Sequence, residues 1–192
     1  MVDRIKFLLD EGDIPRTWYN IAADLPPLHP PVNPQTGRPV TRDEMAHTMP
    51  EPLIEQELST EREFEIPDPV RQIYAQWRPS PLYRARRLER ALDTPARIYY
   101  KYEGVAPTGS HKPNTAAAQV YYNKQAGKRG MVTETGAGQW GSALAQAAAM
   151  FDMTAKVYMV KVSFTQKPYR RALMEAFGAV CTPSPSPETA AG

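Results

Sequence analysis

The 192-residue sequence contains one cysteine, Cys181, so an internal disulfide is excluded and a reducing compartment suits the chain. Histidine is nearly as scarce. His29, His47 and His111 share no ligand spacing with one another or with Cys181, and no metal site is expected. No stretch approaches the ~18 apolar residues of a membrane helix. Asp3, Arg4 and Lys6 interrupt the start where a signal peptide would be apolar. Charge of either sign is not in excess: 23 basic and 21 acidic residues leave a net +2. Nucleic-acid binding needs a concentrated basic stripe; the one candidate, "RARRLER" at 84–90, is expected to be a solvated helix face. These absences describe a cytoplasmic protein with no nucleic-acid or membrane partner, and a hydrophobic content of 42% is enough for a core.

Proline, by contrast, is abundant, and seven of the twenty fall in residues 15–39. Proline fixes φ and removes a donor, so this stretch is expected to be an extended arm rather than a core element. Residues 51–68 are acid-rich; "LIEQEL" suggests a turn or two of helix, and Thr60 with Glu63 makes a weak capping box. Residues 1–67 are therefore taken as an irregular extension, and 68–192 as an α/β domain.

Within 68–77, Val70, Ile73, Tyr74 and Trp77 recur at helical spacing, and Arg78-Pro79-Ser80-Pro81 stops the pattern. Further on, strand-like and helix-like segments alternate: "ARIYYKY" (96–102), a helix over 114–127, a short buried strand at 130–134, a small-residue helix over 141–151, a strand at 155–162, a helix over 166–178 and a strand at 179–182. Such alternation predicts a parallel sheet of about four strands flanked by helices. "PETAA" near the end reads as the first turn of a further helix, which makes the domain look truncated.

Two glycine-rich stretches carry the chemistry. Gly136, Gly138 and Gly141 match G-x-G-x-x-G between a strand and a helix, but the acidic residue of a dinucleotide site is missing near "YMVKVSF". Gly104 and Gly109 with Lys112 approach a P-loop; however, Ser110 and His111 intervene and Pro113 stands where a hydroxyl should hold magnesium. What remains is a lysine opening one helix and a carboxylate, Glu134, ending the next strand just before an anion-friendly turn. Ligands collect at the carboxyl ends of parallel strands, so these groups are expected to converge. A positive field at a helix N-terminus disfavours an ammonium ion, which suits Lys112 for Schiff-base chemistry; a surface lysine is the plain alternative.

"TGSHKPNTA", "ETGAGQWG" and "RPSPLYRARRL" together resemble the tryptophan synthase β family, in its second, longer type with an extension like "IPRTWYNIAADLP". The resemblance runs over nearly the whole chain, and the 22-residue step from Lys112 to Glu134 makes it specific. It implies the fold type II architecture of pyridoxal 5′-phosphate enzymes and a lyase that joins L-serine, or O-phosphoserine, to indole. By resemblance, Lys112 binds the cofactor covalently and moves the Cα proton, and His111 lies beside the cofactor phosphate. Asn114 and Gln139 are further cofactor contacts. Glu134, partly desolvated, assists loss of the serine hydroxyl and orients indole. Thr135, Gly136, Ala137, Gly138 and Gln139 bind the amino-acid carboxylate, with Trp140 beside them. Trp140 stands where the first type has histidine, and it is alternatively a packing residue; Asn114 is alternatively a helix cap.

The resemblance further implies a homodimer and a possible tryptophan synthase α subunit as partner. Family members are about twice as long, and their glycine- and serine-rich phosphate loop has no counterpart here, so an incomplete, poorly active N-terminal fragment is expected. Alternatives are another fold type II enzyme of the threonine or cysteine synthase kind, a nucleotide-binding module built on the Gly136–Gly141 turn, and a non-catalytic interaction fragment.

Overall fold

A computed structural model describes residues 4–27 and 29–187. The first 67 residues contribute β1 (Lys6–Phe7), β2 (Thr17–Tyr19), α1 (Arg42–Ala46), α2 (Glu51–Leu58) and β3 (Glu63–Glu65). Then follow α3 (Asp68–Tyr74), β4 (Leu82–Arg84), α4 (Arg86–Ala91), β5 (Tyr99–Lys101) and α5 (Lys112–Gln125). The chain continues through β6 (Gly130–Thr135), α6 (Gln139–Met150), β7 (Thr154–Val160), α7 (Lys161–Gln166), α8 (Pro168–Ala176) and β8 (Val180–Ser184).

The parallel sheet has the order β6-β7-β8, with Thr133 opposite Val157 and Val157 opposite Cys181. Strand alternation places Ala155, Val157 and Met159 on one face, where they are buried with Leu144 of α6 and Met174 of α8. The core continues into α5 through Ala116, Ala117 and Val120, and into α3 through Val70, Ile73, Tyr74 and Trp77. Small residues on both α5 and α6 let the two helices approach closely, the alanines 116, 117, 143 and 147 all being buried.

Several expectations are corrected. Among the described residues the parallel sheet has three strands, not about four. Tyr99–Lys101 lies instead in an antiparallel sheet, β1-β4-β5, where Tyr83 stacks on Tyr100 with ring centroids 5.5 Å apart. Gly130–Thr135 is not a buried strand: it is an edge strand, and Val132 is 70% exposed on the face away from α6. The strand at 155–162 ends at Val160, where α7 begins. The proline-rich segment is more than an arm. Thr17–Tyr19 pairs with Glu63–Glu65, Trp18 packs on the core, and residues 31–40 fold back through Asn33, whose carbonyl accepts from the Gly37 N–H at 2.8 Å. Glu63 belongs to that strand and caps no helix; capping boxes form instead at Asp10 with Asp13 and at Thr41 with Glu44. The "PETAA" turn lies, beyond Pro187, outside the described residues.

The basic stretch 84–90 is not simply solvated either. Arg84 of β4 holds buried Glu89 of α4 by two hydrogen bonds of 2.9 and 3.0 Å, and the Ile98 N–H donates to the same carboxylate at 2.8 Å. The arginine, and then the backbone donor, hold the Glu89 carboxyl below its usual range. A carboxyl whose folded pKa lies below its unfolded value stabilises the fold above the unfolded value and loses that contribution as pH falls through the folded one. Urea unfolding at stepped pH should therefore show a shallower acid limb for Glu89→Gln than for wild type, with lower stability at neutral pH. Packing makes a second prediction. A Cβ on Gly141 would meet Met174 Sδ and Val157 Cγ1 at 2.7 Å and Thr135 Cγ2 at 2.9 Å. Gly141→Ala should cost about 1–3 kcal/mol in the same unfolding assay.

Candidate active site

Residues 103–111 climb from β5 to the start of α5. Ala106, Thr108 and Ser110 turn inward and are buried, while Pro107, Gly109 and His111 are exposed. Gly109 has φ +70°, a left-handed conformation that glycine adopts without strain, and its N–H donates to Ala106 O at 2.7 Å. This turn delivers Lys112 as the first residue of α5, half-buried, with its backbone N–H 3.4 Å from Ser110 Oγ. Pro113 follows at a first-turn position, where its missing N–H has no intrahelical partner to lose.

The first turn of α5 is held by a polar network that the sequence did not disclose. The Tyr74 hydroxyl donates to the Asn114 carbonyl at 2.5 Å, and Trp77 Nε1 donates to Asn114 Oδ1 at 2.9 Å. Asn114 Nδ2 in turn donates to Glu103 Oε2 at 3.3 Å, and Ser80 Oγ donates to Glu103 Oε1 at 2.7 Å. Lys101 closes the chain by donating to the Ser80 carbonyl. Burial pushes the Tyr74 phenol up to about 12, so it remains a donor throughout the neutral range. Asn114 is thus not the helix cap: it sits inside α5, and no side chain caps this helix.

The second wall is the turn from β6 to α6. Thr135 is buried, and its Oγ1 accepts from the Gly141 N–H at 3.1 Å. Gly138 has φ +93°, and its carbonyl accepts from both the N–H and the hydroxyl of Ser142, at 3.0 and 2.7 Å. The N-cap residue Gly138 has no side chain to cap α6, and with the Gly141 N–H taken by Thr135 the N–H groups of Gln139 and Trp140 remain available to an anion. Gly136, Ala137 and Gln139 are exposed, and a Cβ added at Gly136 would meet nothing within 4 Å. Trp140 is half-buried against the core, its indole N–H donating to Thr133 Oγ1 at 2.9 Å, which is the packing role weighed for it.

Glu134 stands opposite Tyr158 in register, one residue from Thr133 and Thr135 and therefore on the other face of the sheet. Its side chain is exposed rather than partly desolvated, because α6 and α8 cover the opposite face. Among the described residues, neither the Lys112 amine nor the Glu134 carboxylate has a hydrogen-bond or ion-pair partner. One further residue, Arg170 of α8, joins the two walls: Nη1 donates to the Thr108 carbonyl at 3.2 Å, and its stem lies over Gly138. Nothing in the amphipathic pattern of 166–178 marked it.

No helix among the described residues is long and apolar enough to cross a membrane, and no group of three or more His, Cys, Asp or Glu among them could hold a metal. Compared with known proteins, the chain is 52% identical over 192 residues to a tryptophan synthase beta chain 2 of Methanosarcina acetivorans, covering 100% of this chain and 43% of that one. It is 58% identical over 187 residues to a tryptophan synthase beta chain 2 of Thermotoga maritima, covering 97% and 44%. The chain thus spans less than half the length of these curated relatives. In fold it resembles a pyridoxal 5′-phosphate-dependent aspartate racemase, with a TM-score of 0.52 and 22% identity over 65% of this chain and 41% of that one. That likeness, with the α/β layers described above, is the fold type II architecture. The sequence model described as "Pyridoxal-phosphate dependent enzyme" matches residues 73–191, and on that match, over more than half its length, the chain belongs to the pyridoxal-phosphate dependent enzyme family.

Proposed function

We propose that the protein carrying this chain is a tryptophan synthase of the β type, a lyase that replaces the hydroxyl of L-serine, or the phosphate of O-phosphoserine, with indole to give L-tryptophan. Residues 68–192 supply part of the cofactor-binding domain and 1–67 an N-terminal extension to it. The supporting observation is an unpartnered Lys112 amine at the head of α5, whose preceding loop Arg170 ties to the glycine turn between β6, which carries Glu134, and α6. Those residues fit the cofactor: the amine is free, and the turn has open space at Gly136 where a side chain would otherwise stand.

In this reading Lys112 would hold pyridoxal phosphate covalently, and His111, Asn114 and Gln139 would be its further contacts, His111 toward the phosphate. When bound, the cofactor supplies an electron sink for charge developing at the amino-acid Cα. Backbone N–H groups of Thr135, Gly136, Ala137, Gly138 and Gln139 wrap the substrate carboxylate, which the glycines let approach closely. Lys112 takes the Cα proton. Glu134 gives a proton to the departing oxygen and then accepts the indole N–H, a sequence that requires a carboxyl alternating between acid and base. Trp140 backs the turn from the core side. The proposal extends to a cytoplasmic homodimer, with a tryptophan synthase α subunit as the partner that delivers indole.

Titration of the full-length protein with pyridoxal phosphate should raise a visible absorption band that is absent in Lys112→Ala. Glu134→Ala should keep the band and lose about 10²–10⁴-fold in tryptophan formation from serine and indole. Tight NADPH binding without any band would overturn the proposal in favour of a nucleotide module. A retained tryptophan-forming rate in Glu134→Ala would remove that residue from the mechanism.

A further inference from the structure

Arg170 touches both walls of the site without belonging to either. It is the third residue of α8, and Met174 stands one turn further along the same helix. Both lie against the start of α6. Arg170 Cβ and Cγ are 2.8 and 3.0 Å from where a Gly138 Cβ would be, and Met174 Sδ is 2.7 Å from where a Gly141 Cβ would be. Met174 is fully buried, so α8 is fixed to the core at that point and carries Arg170 with it. From there the half-buried guanidinium reaches 62 residues back in sequence to donate to the Thr108 carbonyl. Thr108 precedes Lys112 by four residues, and its own buried hydroxyl has no partner in the structure.

Resting on the proposed function, we infer that Arg170 is a positioning residue: it clamps the loop that presents Lys112 to the glycine turn that receives the substrate carboxylate. Its stem covers Gly138 and its head holds Thr108, so one side chain sets the separation of the two walls. The clamp acts through Thr108 and Gly138 and makes no contact with substrate.

In the full-length protein, Arg170→Met keeps the stem and deletes the donor, whereas Arg170→Lys keeps both a stem and a donor. Amide hydrogen exchange without added cofactor should be about tenfold faster over 104–111 in R170M, with α6 and β7 unchanged, since losing a tether lowers local rather than global stability. With cofactor, R170M should lose roughly tenfold in kcat with serine and leave the indole KM unchanged, in keeping with the cost of a small misplacement. R170K should restore both to within about threefold of wild type. If R170M does not fold, Arg170→Gln, whose head is too short for Thr108, should show the same faster exchange. Wild-type exchange over 104–111 in whichever of these two variants folds, or an R170K protein no better than R170M, would overturn the clamp. Faster exchange in a protein whose wild type neither develops the visible band nor forms tryptophan would leave the clamp standing and sink the functional reading instead.

Discussion

The site depends first on how the head of α5 is held. Lys112 sits at the very start of that helix, where fraying is easiest, yet two residues later Asn114 is gripped from three directions by Tyr74, Trp77 and Glu103. Two of these partners come from the α3 segment and its end, and the third from the segment just after β5. The helix start is therefore defined by elements distant in sequence rather than by a local cap. Each bond is worth about 0.5–1.5 kcal/mol net, but removing one partner leaves a covered polar group unsatisfied at about 1–3 kcal/mol. The asymmetry favours one geometry strongly over its neighbours, as the covalent role proposed for Lys112 requires.

The scaffold and the site differ in how closed they are. Thr135, Gly138 and residues 141–148 of α6 are buried, whereas Gly136, Ala137, Gln139, Glu134 and His111 face outward. Parallel sheets are ordinarily covered on both faces, yet here Val132 and Val180 are 70% and 60% exposed on the face that Glu134 shares. The turn and the helix that carry the candidate residues are thus buried within this chain, and the surface on which the proposed chemistry would occur is an open wall. A protein about twice this length, as in the proposed function, has the material to cover that face and to desolvate Glu134. The open wall by itself gives the carboxylate no low-dielectric surroundings.

Much of this was legible in the sequence where the signal was periodic or local. The helices around 68–77, 114–127 and 141–151 followed from apolar spacing, and the special position of Lys112 and of the 135–141 turn followed from their glycines. What escaped was decided by pairing and depth, which periodicity does not encode. "ARIYYKY" carries the right residues for a strand, but nothing in it says that its neighbour is Leu82–Arg84 rather than Gly130–Thr135. The valine in "GMVTE" reads as core because a short apolar run has no marker for an edge. Glu103, Ser80 and Arg170 lie nine to fifty-eight residues from Lys112, and their roles arise only when the chain closes.

The G-x-G-x-x-G pattern of this turn, which lacks the acid of a dinucleotide site, has a physical explanation in three different constraints. Gly138 is required by the backbone, at φ +93°, and again by crowding from Arg170 and Met159. Gly141 is required by packing alone, since helix α6 lies so close to β7 and α8 that a methyl would collide with Val157 and Met174. Gly136 is under neither pressure: its φ is unexceptional and the space about it is empty. A glycine with no structural reason, placed where backbone N–H groups face outward at a helix N-terminus, leaves room for a ligand to approach the main chain. Dinucleotide folds meet the same three demands, a sharp turn, a close ligand and a tight helix–sheet contact, with the same spacing. The pattern therefore suits an anion beside a strand–helix turn, and in the proposed function the lysine 22 residues before Glu134 supplies the amine that would use it.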